Sequence, residues 1–124
     1  MKDWHWLLVF AGSGTGGVMR FFISRSLLPL SHFPFGTLAV NVLACLVAGF
    51  LFGLPQVSQI QNPSWKLLLL TGFCGGFSTF SAFGLDFLML QQKGMGSLSF
   101  LYLGLSVILS LIAIWAGYRI QQIL

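Results

Sequence analysis

Charged residues are spaced so widely along this chain that the apolar stretches between them reach membrane-span length. None occurs from Ser26 to Trp65, from Leu67 to Leu85 or from Gly94 to Tyr118, whereas about 20 apolar residues suffice for a helix to cross the hydrocarbon core of a bilayer. Proline clusters and a Gln91–Gly96 turn divide these runs, which predicts four spans at roughly 4–28, 34–54, 65–91 and 97–120. Pro34 opens the second, because proline suits a first helical turn and cannot continue a helix from upstream. The expected fold class is all-α integral membrane, with residues 1–124 as a single transmembrane domain.

The third span interrupts its own pattern. In TGFCGGFSTFSAF, residues 71–83, the pairs Gly75-Gly76 and Ser78-Thr79 sit inside an apolar run. Both pairs weaken a helix, the first through backbone freedom and the second through competing side-chain hydrogen bonds. A local break is expected here. Irregular backbone at membrane depth persists only where protein buries it or where it lines a cavity, and broken helices recur at midplane ion sites. Carbonyls exposed at such a break are hard oxygen ligands suited to a small cation.

Composition supports the membrane reading: 56% of residues are hydrophobic and 6% charged, too few charges for a water-facing surface. The opening Met1-Lys2-Asp3 and the apolar Trp4–Phe10 resemble a signal peptide. However, the apolar pattern resumes from Val18 to Leu30, which favours an uncleaved first helix. The formal net charge of +4 comes from six basic residues scattered singly at span ends, so no nucleic-acid footprint forms. If span ends alternate sides, Lys2, Lys66 and Arg119 share one side while Arg25, Lys93 and Arg20 share the other. The positive-inside rule then gives no clear orientation. Either the chain inserts both ways and pairs as an antiparallel dual-topology homodimer, or it carries too few charges to count.

Individual residues narrow the chemistry. Gly12, Gly14 and Gly17 match GxGxxG, but the strand before it and the acidic residue some 20 positions after it, which dinucleotide binding requires, are missing. Gly12 and Gly16 instead suit close approach of helices. Arg20, near the end of the first span, either snorkels or faces an aqueous vestibule that attracts anions. Thr37 and Asn41, four apart, share a helix face, and a buried amide there needs another helix or a permeating species as its partner. Tyr102, Ser106 and Ser110 align at i, i+4 and i+8, as helix-binding hydroxyls or as a track of O–H donors for an anion. Phe80, Phe83 and Phe87 form a stripe that serves packing or turns positive ring edges toward a pore. Cys45 and Cys74 stand alone in sequence without CxxC or a nearby histidine, and read as small packing residues rather than as a metal site or disulfide. Acids and histidines are too far apart in sequence to indicate an enzyme.

The combination of Gly12, Gly16 and Arg20 as GxxxGxxxR, FPFGTLAVNV at 33–42, and GFCGGFSTFSAF at 72–83 followed by Asp86 resembles the Fluc, or CrcB, family of bacterial fluoride ion channels. The resemblance implies four-helix subunits with a broken third helix, paired as an antiparallel dual-topology homodimer in the bacterial plasma (inner) membrane. It further implies two passive, fluoride-selective pores per dimer that release fluoride from the cytoplasm. Phe80 and Phe83 match the pore phenylalanines, Asn41 the pore amide and Arg20 the vestibule arginine, while Thr37, Ser81, Tyr102, Ser106 and Ser110 fit the polar lining. Backbone carbonyls of Gly75 and Ser78 from both subunits would hold a structural Na⁺ at the dimer interface. Two departures stand out: Ser78-Thr79 replaces a common pair of threonines, and Asp86 replaces the usual glutamate.

A different class, the small multidrug-resistance type exporters, also uses four helices and dual topology. Those proton-coupled exporters need a carboxylate within the first helix, and no acid lies between Trp4 and Leu30.

Overall fold

The computed structural model describes residues 2–27, 32–58 and 63–124. It is all-helical, with no strand among the described residues. Four helices are long and apolar enough to cross a membrane: His5–Leu27 (α1), Phe35–Gly53 (α2), Lys66–Gln92, and Gly96–Ile123. The third comprises a π-helical segment Lys66–Cys74, a single α turn Gly75–Phe77, and the helix Phe80–Gln92 (α3). Gly96–Ile123 is α4. Short turns at Pro55–Ser58 and Pro63–Trp65 lie between α2 and the π segment.

In a bilayer, apolar side chains gain little by leaving lipid, so helices associate where small residues let backbones meet. Two such crossings organise the molecule. At the first, α1 packs along the π segment and the turn after it. A Cβ added to Gly12 would stand 2.7 Å from Phe73 N, one on Gly16 2.7 Å from Phe77 N, and one on Gly76 2.7 Å from Ser13 Cα. Ser13 Oγ also donates to the Gly72 carbonyl at 3.3 Å. At the second, α2 packs along α4. There an added Cβ on Gly49 would meet the Ile114 carbonyl carbon at 2.8 Å, and one on Gly117 would meet Phe50 N at 2.9 Å. GxxxG spacing in α1 therefore serves packing.

Two apolar clusters fill the space between these crossings. Val40, Ala44 and Phe77 are buried together with Ile23 and Phe73 against them, which ties α2 to the turn before α3. Phe83, Leu90 and Tyr102 form the other, with Phe33, Leu38, Met95 and Leu98 around it. The α3–α4 connection is held by Gly94 at φ 74°, a left-handed conformation natural to glycine. Met95 N–H reaches the Leu90 carbonyl at 2.9 Å and Gly94 N–H the Gln91 carbonyl at 3.0 Å, which closes the helix end. Large apolar residues such as Phe10, Phe22, Leu111 and Trp115 are exposed, as a lipid-facing surface requires.

Candidate functional site

Between Phe77 and Phe80 the backbone leaves the helical path: Ser78 has φ −76°, ψ 155° and Thr79 φ −149°, ψ 121°. Gly75 and Gly76, one of the two pairs the sequence marked as weak, stay helical. Two side chains account for the displaced backbone. A continuous helix would give the Thr79 N–H to the Gly75 carbonyl; here it donates to Asn41 Oδ1 at 2.8 Å. Asn41 Nδ2 returns a bond to the Thr79 carbonyl at 3.0 Å. A continuous helix would likewise give the Ala82 N–H to the Ser78 carbonyl, but Thr79 Oγ1 accepts it at 3.1 Å as the N-cap of α3.

The consequence falls on two carbonyls. Those of Gly75 and Ser78 receive no protein hydrogen bond among the described residues. Their neighbours are occupied, since the Cys74 carbonyl accepts from Ser78 N and Oγ and the Gly76 carbonyl from Arg20 Nε at 3.2 Å. Hard, uncharged oxygens of this kind suit Na⁺ better than a transition metal. No cluster of three or more His, Cys, Asp or Glu exists among the described residues.

Beside this irregular backbone lies an open groove of about 340 Å³, lined by Asn41, Cys45, Ser78, Thr79, Phe80, Phe83, Ser106 and Ser110, with Val107, Leu111 and Ile114 as its apolar wall. Asn41 spends one amide hydrogen on Thr79, and an amide nitrogen carries two; Nδ2 makes no second bond among the described residues, and Asn41 lines the groove. Ser106 is 6% exposed, and its Oγ approaches the Tyr102 hydroxyl without a hydrogen bond of ordinary geometry. A buried hydroxyl without a partner costs about 1–3 kcal/mol, so Ser106 stands out as an unsatisfied donor beside the groove. Phe80 is 83% exposed at the groove while Phe83 is 8% exposed, their rings 5.5 Å apart and inclined at 41°.

The remaining predicted residues surround the groove without lining it. Tyr102 is fully buried against Phe83 at 5.2 Å, and its hydroxyl donates to Asp86 Oδ2 at 3.2 Å. Ser81 Oγ pairs with Thr79 Oγ1 at 3.2 Å. Thr37 lies between two neighbouring cavities. One, of about 530 Å³, is lined by Arg20, Ser24, Arg25 and Thr79. The other, of about 280 Å³, is lined by His32, Asp86 and Lys93. Arg20 therefore sits at a cavity edge with its guanidinium half-anchored on the Gly76 carbonyl. Sequence reasoning treated Thr79 only as a helix breaker and Cys45 as packing. A threonine three residues before Ala82 at a helix start is the N-cap signal that was available, whereas nothing local marks Cys45 as groove-lining.

A family model described as "CrcB-like protein, Camphor Resistance (CrcB)" matches residues 7–118. The chain belongs to the CrcB family. Relatives span almost its whole length. A protein of Rhizobium etli called "Fluoride-specific ion channel FluC" is 42% identical, covering 95% of this chain and 96% of that one. Proteins of the same description are 38% identical in Methylobacillus flagellatus, over 94% and 93% of the two chains, and 43% identical in Serratia proteamaculans, over 86% and 88%. With its four apolar helices, this CrcB member is a multi-pass membrane protein.

Proposed function

We propose that this CrcB protein is a passive, fluoride-selective channel of the bacterial plasma membrane, and that the groove beside Asn41 is half of its conduction path. The observation that carries the reading is the convergence in one groove of an unused amide hydrogen, the unpartnered Ser106 hydroxyl, Ser110 and the Phe80–Phe83 pair. All are uncharged donors or ring edges. Such groups replace part of an anion's hydration without holding it, which conduction requires. Fluoride, small and strongly hydrated, needs short O–H and N–H donors, and the names of the relatives agree with that choice. The neighbouring cavity with Arg20 and Arg25 gathers anions at the entrance, and its basic side chains act through charge rather than chemistry.

The groove is open and Phe80 lies almost bare, which favours a second copy closing it. The subunit partner is an antiparallel copy, giving a dual-topology homodimer with two pores and residues 1–124 as one transmembrane domain in each subunit. The break in the third span is the working element. It frees the Gly75 and Ser78 carbonyls, which would hold a structural Na⁺ together with their symmetry mates. When bound, that ion supplies positive potential at the dimer centre. Thr37, Ser81 and Tyr102 support the lining from behind, Tyr102 oriented by Asp86. The exporter reading is weaker: α1 carries no carboxylate for proton coupling, and the relatives are named as channels.

The test is reconstitution in fluoride-loaded liposomes with a fluoride electrode outside. Efflux should begin on adding a potassium ionophore that relieves the charge build-up, and chloride-loaded vesicles should stay silent. Folded protein that releases no fluoride, or chloride equally well, would overturn the reading.

A further inference from the structure

The two cysteines, solitary in sequence, stand on helices that pack together, Cys45 in the wall of the groove and Cys74 buried beside it. Asn41 pairs with Thr79, Val40 and Ala44 bury against Phe77, and Ala48 shares a cavity with Leu70. Rising numbers on α2 thus meet falling numbers on the third span, so the two run antiparallel in this register. One turn beyond Asn41 stands Cys45, which lines the groove, and opposite it, one turn before Ser78, stands Cys74. The π segment that carries Cys74 packs against α2, which carries Cys45. Both are free, Cys45 half-buried and Cys74 buried.

We infer that Cys45 and Cys74 form a two-thiol site for a soft d¹⁰ cation, and that its occupancy closes the groove to anions. The chemistry selects the ligand class. Thiolates prefer soft ions, and no cluster of three or more His, Cys, Asp or Glu exists among the described residues, so a tetrahedral zinc site cannot be completed from these side chains. An ion satisfied by two sulfurs, such as Hg²⁺, matches what is present. On binding, each thiol passes its proton to water and two sulfur–metal bonds form, with no change of oxidation state. The bridged ion then occupies the wall one turn from the Asn41 amide, beside the Ser78 backbone. Metal retention here does not depend on the channel reading. The effect on flux does.

Mercuric ion is the probe. One equivalent per subunit should be retained by purified full-length protein and should protect both cysteines from alkylation, read by peptide mass spectrometry without any substitution. In fluoride-loaded liposomes the same dose should lower efflux at least tenfold, with recovery on adding a dithiol. Cys45→Ala and Cys74→Ala, each scored against its own untreated efflux, should need at least tenfold more mercury for the same block. Protection of only one cysteine, or Cys74→Ala blocked as readily as the parent, would overturn the two-thiol site. Retention on both cysteines with undiminished efflux would overturn the block. Absence of fluoride efflux before any mercury is added is instead the failure of the channel reading, and alkylation protection still decides the site.

Discussion

Asn41 explains more at the scale of one side chain than any other residue here. Its amide takes the place of a backbone segment, accepting the Thr79 N–H and donating to the Thr79 carbonyl, and Nδ2 makes no second bond among the described residues. Asn41→Asp keeps the acceptor, removes the donor and adds a charge on the proposed anion path, so the loss of flux expected of it mixes two effects. Ser106 separates them. Its hydroxyl has no protein partner, so Ser106→Ala removes no bond from the fold. A hydrogen bond to a charged group is worth about 1.5–3 kcal/mol, which at about 1.4 kcal/mol per decade is a roughly 10- to 100-fold effect. Ser106→Ala should therefore lower fluoride efflux about tenfold or more while leaving the thermal midpoint in detergent unchanged or slightly raised. Unaltered efflux would remove Ser106 from the pore.

Among the elements, the third span shows how side chains from outside a helix decide its course. Gly75-Gly76 and Ser78-Thr79 both weaken a helix, yet only the second pair leaves the helical path, because Asn41 and the Thr79 hydroxyl satisfy the released N–H groups there. Gly76 has a different duty. It lets the turn before α3 rest on the α1 backbone, and a Cβ would strike Ser13. Backbone atoms cannot swing aside as a side-chain end can, so Gly76→Ala should destabilise by about 1–3 kcal/mol, the usual cost of overpacking. Gly14, on the same α1, has nothing within 4 Å of an added Cβ; Gly14→Ala should be neutral or stabilise by up to about 1 kcal/mol. Thermal unfolding followed by size-exclusion chromatography compares the two, and equal midpoints would refute the close-packed crossing.

For the whole molecule, the governing facts are the open groove and the even charge distribution. Basic residues fall equally on the two expected sides, Lys2, Lys66 and Arg119 against Arg20, Arg25 and Lys93, so neither orientation is strongly favoured. A reporter fused after Leu124 should therefore be detected on both sides of the membrane. Adding two lysines after Arg119 should drive it to the cytoplasmic side and, if the proposed antiparallel dimer is the conducting form, lower efflux. A reporter confined to one side in the parent would reject dual topology. The proposed sodium site belongs to the same scale: exchanging Na⁺ for N-methylglucamine should loosen the dimer if the Gly75 and Ser78 carbonyls share an ion between subunits.

Membership of the membrane class, the number of long apolar helices and the polar and aromatic side chains of the groove follow from the sequence, because lipid demands apolar runs of set length and helical periodicity places Tyr102, Ser106 and Ser110 on one face. A break somewhere in residues 75–79 was legible, but the π-helical course of Lys66–Cys74 and the choice of Ser78-Thr79 over Gly75-Gly76 were not, since both depend on which distant group receives each backbone hydrogen. The family resemblance likewise implied Thr37, Ser81 and Tyr102 as lining, while the fold leaves them outside the set of residues that line the groove. Only the antiparallel register of α2 against the third span brought Asn41 to Thr79 and Cys45 toward Cys74. Those partners are 38 and 29 positions apart in the chain, and a local pattern carries no information about contacts made by close packing across that separation.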